Sequence, residues 1–187
     1  MKRWIAFLLA AVLAVSMTAC RKNETSYSEK FDIVVVPKAE ADPWYVQMEQ
    51  GVLEYAKAHP EVNVYTQSIE KYDALKQSQL AEDLVAQRVD AICVVPMDAQ
   101  MMDPMLEKAR EVGIAVITCN GADLMHVDYD LEAAANADPA AAVQAMIALA
   151  CKVLQNETVS VPLDLGVPGY EALTFREGSE TVLERAD

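Results

Sequence analysis

The chain has 187 residues and carries 29 acidic against 15 basic side chains, a formal net charge of −14. Such a surface repels phosphate backbones, which argues against a nucleic-acid partner. The length gives room for one ordinary domain, and four cysteines without a CxxC pair, with His59 and His126 standing apart, lack metal-site spacing.

The amino-terminal residues read as an export signal. Met1-Lys2-Arg3 is basic, Trp4 to Val15 is an apolar run, and Ser16, Thr18 and Ala19 put small residues before Cys20. The run is short for a membrane span and suits a secretory signal. Its end resembles the lipobox of bacterial lipoproteins, which implies acylation of Cys20 and an extracytoplasmic chain anchored to the membrane by lipid. On this reading residues 1–19 are the signal and residues 20–30 (CRKNETSYSEK), polar and without periodicity beyond the cysteine, are a flexible tether.

A regular alternation follows. Phe31 to Val36 is a β-branched run closed by Pro37. Asp42-Pro43 then offers an N-cap and a first-turn proline, with Met48, Val52 and Ala56 at helical spacing up to Pro60. Val62 to Thr66 is a short strand. Asp73 can cap a helix with Leu80, Ala81, Leu84 and Val85 on one face, and Asp90 to Val95 is a third strand closed by Pro96. The spacing predicts a third helix over about Met102 to Val112, ended by Gly113, and a fourth strand over Ile114 to Thr118. This β-α-β-α-β-α-β rhythm predicts an α/β fold, an open parallel sheet with helices on both faces.

The rhythm then breaks. Met125 to Asp130 is one more candidate strand, residues 131–136 are an alanine-rich link, and Asp138-Pro139 opens a strongly apolar helix that Asn156 ends. The tail to Asp187 holds β-prone pieces between turn signals. Cys93 and Cys119 lie in apolar runs and are expected to be buried thiols.

Ligands of open α/β sheets bind beyond the carboxyl ends of the strands. That rule selects Lys38 to Tyr45 after the first strand, Gln67 and Ser68 after the second, Met97 to Gln100 after the third and Cys119 to Asp123 after the fourth. The first loop is richest: a cation, Lys38, and adjacent aromatics, Trp44 and Tyr45. Aromatic faces stack on sugar C–H groups while fixed polar groups read hydroxyls. Adjacent helical residues diverge, so both rings are not expected to enter one core. In the last loop Asn120 and Asp123 offer polar groups around Gly121, which equally suits plain turn chemistry. Asp98 reads as a helix cap. No GxSxG elbow, P-loop or GxGxxG occurs, and nothing in the spacing singles out catalytic residues, so an enzyme is not expected.

The segments IVVVPKAEADPWYVQMEQGVLEYA and LAEDLVAQRVDAICVVPMDAQMMDPMLEKAREVGIAVITCNGAD resemble type 1 periplasmic sugar-binding proteins, which feed ABC importers. The Pro37-Lys38 pair is most similar to the rhamnose and autoinducer-2 branch. The resemblance implies that Lys38 touches ligand, that Trp44 and Tyr45 stack on it, and that the partners are a small sugar and a membrane permease, with no cofactor. Asn120 stands where most members carry an aspartate. It further implies a first lobe over residues 31–130 and a return to that lobe over residues 131–187, with most of the second lobe missing. A sensory lipoprotein that passes a sugar signal to a membrane receptor, and a decayed non-binding fragment, are the alternatives.

Overall fold

A computed structural model describes residues 30–119, 124–131, 138–157, 175–177 and 180–182, the last two stretches by their backbone alone. The order is β1 (Asp32–Val36), α1 (Pro43–Ala58), β2 (Asn63–Thr66), α2 (Ala74–Gln87), β3 (Ala91–Val94), α3 (Ala99–Glu111), β4 (Ala115–Cys119), β5 (Tyr129–Leu131), α4 (Pro139–Leu154), β6 (Phe175–Glu177) and β7 (Glu180–Val182). One sheet runs β2-β1-β3-β4-β5-β6-β7. Its first five strands are parallel; β6 and β7 form an antiparallel hairpin beside β5.

The strands are apolar throughout because both faces are covered. Ile33, Val35, Cys93 and Ile117 face α1 and α4, against Met48, Val52, Val143 and Met146. Val34, Val36, Ile92 and Val116 face α2 and α3, against Ala81, Leu84, Met102 and Leu106. Successive side chains alternate faces, so each run must be apolar at every position.

The caps follow the local sequence. The side chains of Asp42, Asp73, Asp98 and Asp138 accept from the amides of Trp44, Lys76, Met101 and Ala140. Gly113 has φ +87° and Asn156 φ 55°, the left-handed values expected after a helix.

Two boundaries differ from expectation. Helix α3 starts at Ala99, directly after its Asp98 cap, and not near Met102; it runs through Pro104. The expected strand over Met125 to Asp130 is only Tyr129–Leu131; the amides of Met125 and His126 are tied to α3 instead of to the sheet. Asp103 accepts the amides of Met125 and His126 at 2.8 and 3.0 Å, and Asp128 accepts from the Val116 amide at 2.7 Å. The tail returns to the sheet in antiparallel sense, which local patterning does not specify.

Candidate functional site

Sheet order fixes where a ligand site lies. Strand β1 is flanked by β2 on one side and β3 on the other, so the chain reverses direction across the sheet at β1 and the loops after β1 and β3 diverge there. Pro37 and Pro96 follow these strands and carry no N–H, which ends regular pairing.

Lys38 lies at this reversal point, half-buried, and has no ion-pair partner among the described residues. Trp44 and Tyr45 sit in the first turn of α1, positioned by the Asp42 cap. Both rings are half-buried and both pack against the rim of the core on the α1–α4 side. The expected divergence is therefore only partial. The rings meet edge to face, with centroids 5.2 Å apart and planes at 78°, so both reach the same rim in different orientations.

Tyr72, on the loop after β2, completes this cluster and was not expected from the sequence. Its hydroxyl donates to Asp42 Oδ2 at 2.7 Å while Asp42 Oδ1 accepts the Trp44 amide at 2.8 Å. These two bonds hold the Asp42 carboxyl below the usual carboxylate range, Tyr72 contributing most. The same bond raises the Tyr72 hydroxyl above the usual tyrosine value. Burial pushes Tyr45 up as well, with Tyr72, Asp42 and Cys119 adding to the effect. Tyr72 is 59% exposed, an aromatic residue held by a hydrogen bond yet open to solvent.

A buried amide joins the other side of the reversal point. Gln77 of α2 is fully buried; its Nε2 donates to Pro37 O at 3.1 Å and Val95 O at 2.9 Å, and its Oε1 accepts from the Met97 amide at 2.9 Å. On the other flank, the Glu40 amide donates to Ile69 O at 3.1 Å. The loops after β1, β2 and β3 thus form one hydrogen-bonded platform. Asp98 serves as a cap, as expected. Asn120 and Asp123, and the lipidation candidate Cys20, lie outside the described residues.

The arrangement offers aromatic faces and the Lys38 cation at a polar rim, which suits recognition of a polyhydroxylated ligand. A cavity of about 640 Å³ opens at the opposite end of the sheet, but its charged lining is the Arg110–Asp128 pair, 3.1 Å apart and self-compensating. Cys93 and Cys119 are buried as expected, and burial raises the Cys93 thiol, which marks it as inert. No group of three or more His, Cys, Asp or Glu suited to a metal ion, and no helix long and apolar enough to cross a membrane, occurs among the described residues.

Residues 33–185 match the family model described as a periplasmic binding protein domain. The chain belongs to that family. It is 30% identical over 118 residues to a D-ribose/D-allose-binding protein of Pseudomonas aeruginosa, covering 59% of this chain and 36% of that protein. It is 26% identical over 117 residues to a xylitol-binding protein of Mycolicibacterium smegmatis, covering 63% of this chain and 33% of that protein. The matched region thus spans about a third of these relatives' length. A solute-binding protein of an ABC transporter from Clostridium phytofermentas, solved with bound L-rhamnose, has the same fold: TM-score 0.52 and 18% identity, over 66% of this chain and 36% of that one. The expected type 1 periplasmic binding fold is thereby established, and this chain's strand order and doubly covered sheet are those of one lobe of it.

Proposed function

We propose that this chain is a lipid-anchored substrate-binding component of an ABC importer for a sugar or sugar-like signal, with Lys38, Trp44 and Tyr45 on the ligand. Binding and delivery are its work, without covalent chemistry. The observation that carries the reading is the cluster of Trp44, Tyr45 and Tyr72 on the loops that follow β1 and β2, with a half-buried Lys38 on the same β1 loop. Aromatic faces supply the apolar contact a sugar ring needs, and the Lys38 ammonium supplies donors. The relatives' ligands, ribose, allose and xylitol, support a polyol of that size, and the Pro37-Lys38 pair supports the rhamnose and autoinducer-2 type. Asn120 and Asp123 are proposed to read hydroxyls from the loop after β4, and a membrane permease is the proposed partner.

The described residues provide one wall of such a site. A ligand held on one side keeps more of its surface in water than one enclosed between two walls, so weak affinity is expected from this wall alone. Calorimetric titration with D-ribose, D-allose, xylitol, L-rhamnose and autoinducer-2 tests the proposal. Binding of at least one, with Trp44→Ala weakening it by roughly tenfold or more, is the expected result; silence across the panel refutes it. Fatty-acid labelling in a bacterial host tests the anchor: Cys20→Ser abolishes the label, and an unlabelled wild type removes that part of the proposal.

A further inference from the structure

Gln77 occupies a position where a simple core would carry an aliphatic side chain. It lies on the same helical stripe as Ala81 and Leu84, and all three are buried against the α2–α3 face of the sheet. Burying an amide is unfavourable unless each of its polar groups is satisfied. Here both protons of Nε2 and the Oε1 acceptor are used, all on backbone groups just past the ends of β1 and β3.

The pattern of those bonds is informative. The last rung between the two strands is the Val95 amide donating to Val36 O at 3.0 Å. A parallel ladder continued by one step would send the Lys38 amide to Val95 O and the Met97 amide to Lys38 O. The structure shows instead Gln77 Nε2 on Val95 O and the Met97 amide on Gln77 Oε1. The side-chain amide replaces the Lys38 peptide groups as donor and as acceptor. The Lys38 backbone is thereby released from the sheet, and its loop bends toward the β2 side, where Glu40 binds Ile69.

We propose that Gln77 is the positioning residue of the ligand site: it imitates one peptide unit between β1 and β3, wedges their loops apart and so sets where Lys38 stands, without touching ligand itself. The inference deepens the sugar reading and rests on it for its binding consequence; the loop geometry is read separately.

The test uses the full chain with Gln77→Leu and Gln77→Glu, beside Ile114→Ala, a core substitution at the opposite end of the sheet. Gln77→Leu loses three hydrogen bonds, so the sugar bound by wild type is expected to bind roughly tenfold weaker or worse, and Met97 amide exchange to accelerate by a similar factor. Gln77→Glu keeps the acceptor and loses the donors; it regains affinity as pH falls, because a protonated carboxyl again offers one donor. Ile114→Ala, measured well below its melting temperature, binds within about twofold of wild type. Gln77→Leu with wild-type affinity, or Ile114→Ala with an equal loss, overturns the positioning role. If wild type binds none of the sugars, the sugar reading fails, and Met97 exchange alone then decides whether Gln77 holds the loops; unchanged exchange overturns that too.

Discussion

At Gly51 α1 and α4 approach too closely to admit a Cβ, and replacing it with alanine is the sharpest test of how this lobe is held together. A Cβ built there meets Ala140 O at 2.6 Å, Ala140 Cα at 2.7 Å and Val143 Cγ1 at 2.8 Å. Two of the three are backbone atoms and cannot rotate away. Restoring ordinary contact needs the helices to separate by roughly 1 Å. That movement loosens Met48 and Val52 against Val143 and Met146 and stretches the Gln144 Nε2 bond to Gly51 O, already 3.4 Å. Overpacking of this kind costs about 1–3 kcal/mol, and a contact against rigid backbone belongs at the upper end. Alanine's better helix propensity returns up to about 1 kcal/mol. The net expectation is a loss of about 2 kcal/mol, or a melting temperature lower by about 4–8 °C for a domain of this size. Circular dichroism on heating and in urea reads it, with exposed Gln47→Ala as a control that stays within about 0.5 kcal/mol. A Gly51→Ala protein as stable as wild type, or more stable, would show that propensity outweighs packing here and refute the close approach.

Thr118 Oγ1 donates to Asp130 Oδ1 at 2.6 Å, with both residues almost fully buried; Thr118→Val keeps the shape, removes a donor from a buried carboxylate and is expected to cost about 1–3 kcal/mol in urea denaturation, equal midpoints refuting it. Tyr72→Phe removes the main bond that lowers Asp42, so the Asp42 carboxyl, followed by NMR titration, rises toward the ordinary aspartate range; an unmoved value would deny the contact. The sign on stability follows. A lowered carboxylate stabilises above its unfolded value and loses that contribution as pH falls through its folded value, so Tyr72→Phe has the smaller acid-side loss. The raised Tyr72 hydroxyl acts oppositely, stabilising below its unfolded value and losing that contribution as pH rises through the folded one. Lys38→Met removes the cation but keeps the stem, and is expected to weaken sugar binding while leaving the melting temperature within about 2 °C; unchanged affinity excludes Lys38 from the site.

Local chemistry made much of this protein legible. Four β-branched or apolar runs, four aspartate caps and the left-handed Gly113 and Asn156 are short-range features, and each appears where its residues demand it. The candidate residues Lys38, Trp44 and Tyr45 were legible for the same reason, as chemistry-bearing side chains directly after a strand. Tyr72 was not, because its role depends on a bond to Asp42, 30 residues away. Nor was Gln77, which on a helical wheel is simply one polar residue in an apolar stripe.

By itself the sequence determined that strands and helices alternate, that the strands are buried on both faces, and which loops leave their carboxyl ends. Only the tertiary structure decided that β2 and β3 lie on opposite sides of β1, that the tail adds an antiparallel hairpin beside β5, and that a side-chain amide continues the β1–β3 ladder. Strand order and such bonds join residues far apart in the chain, and their energies come from packing and from satisfying buried backbone groups, neither of which a local pattern encodes.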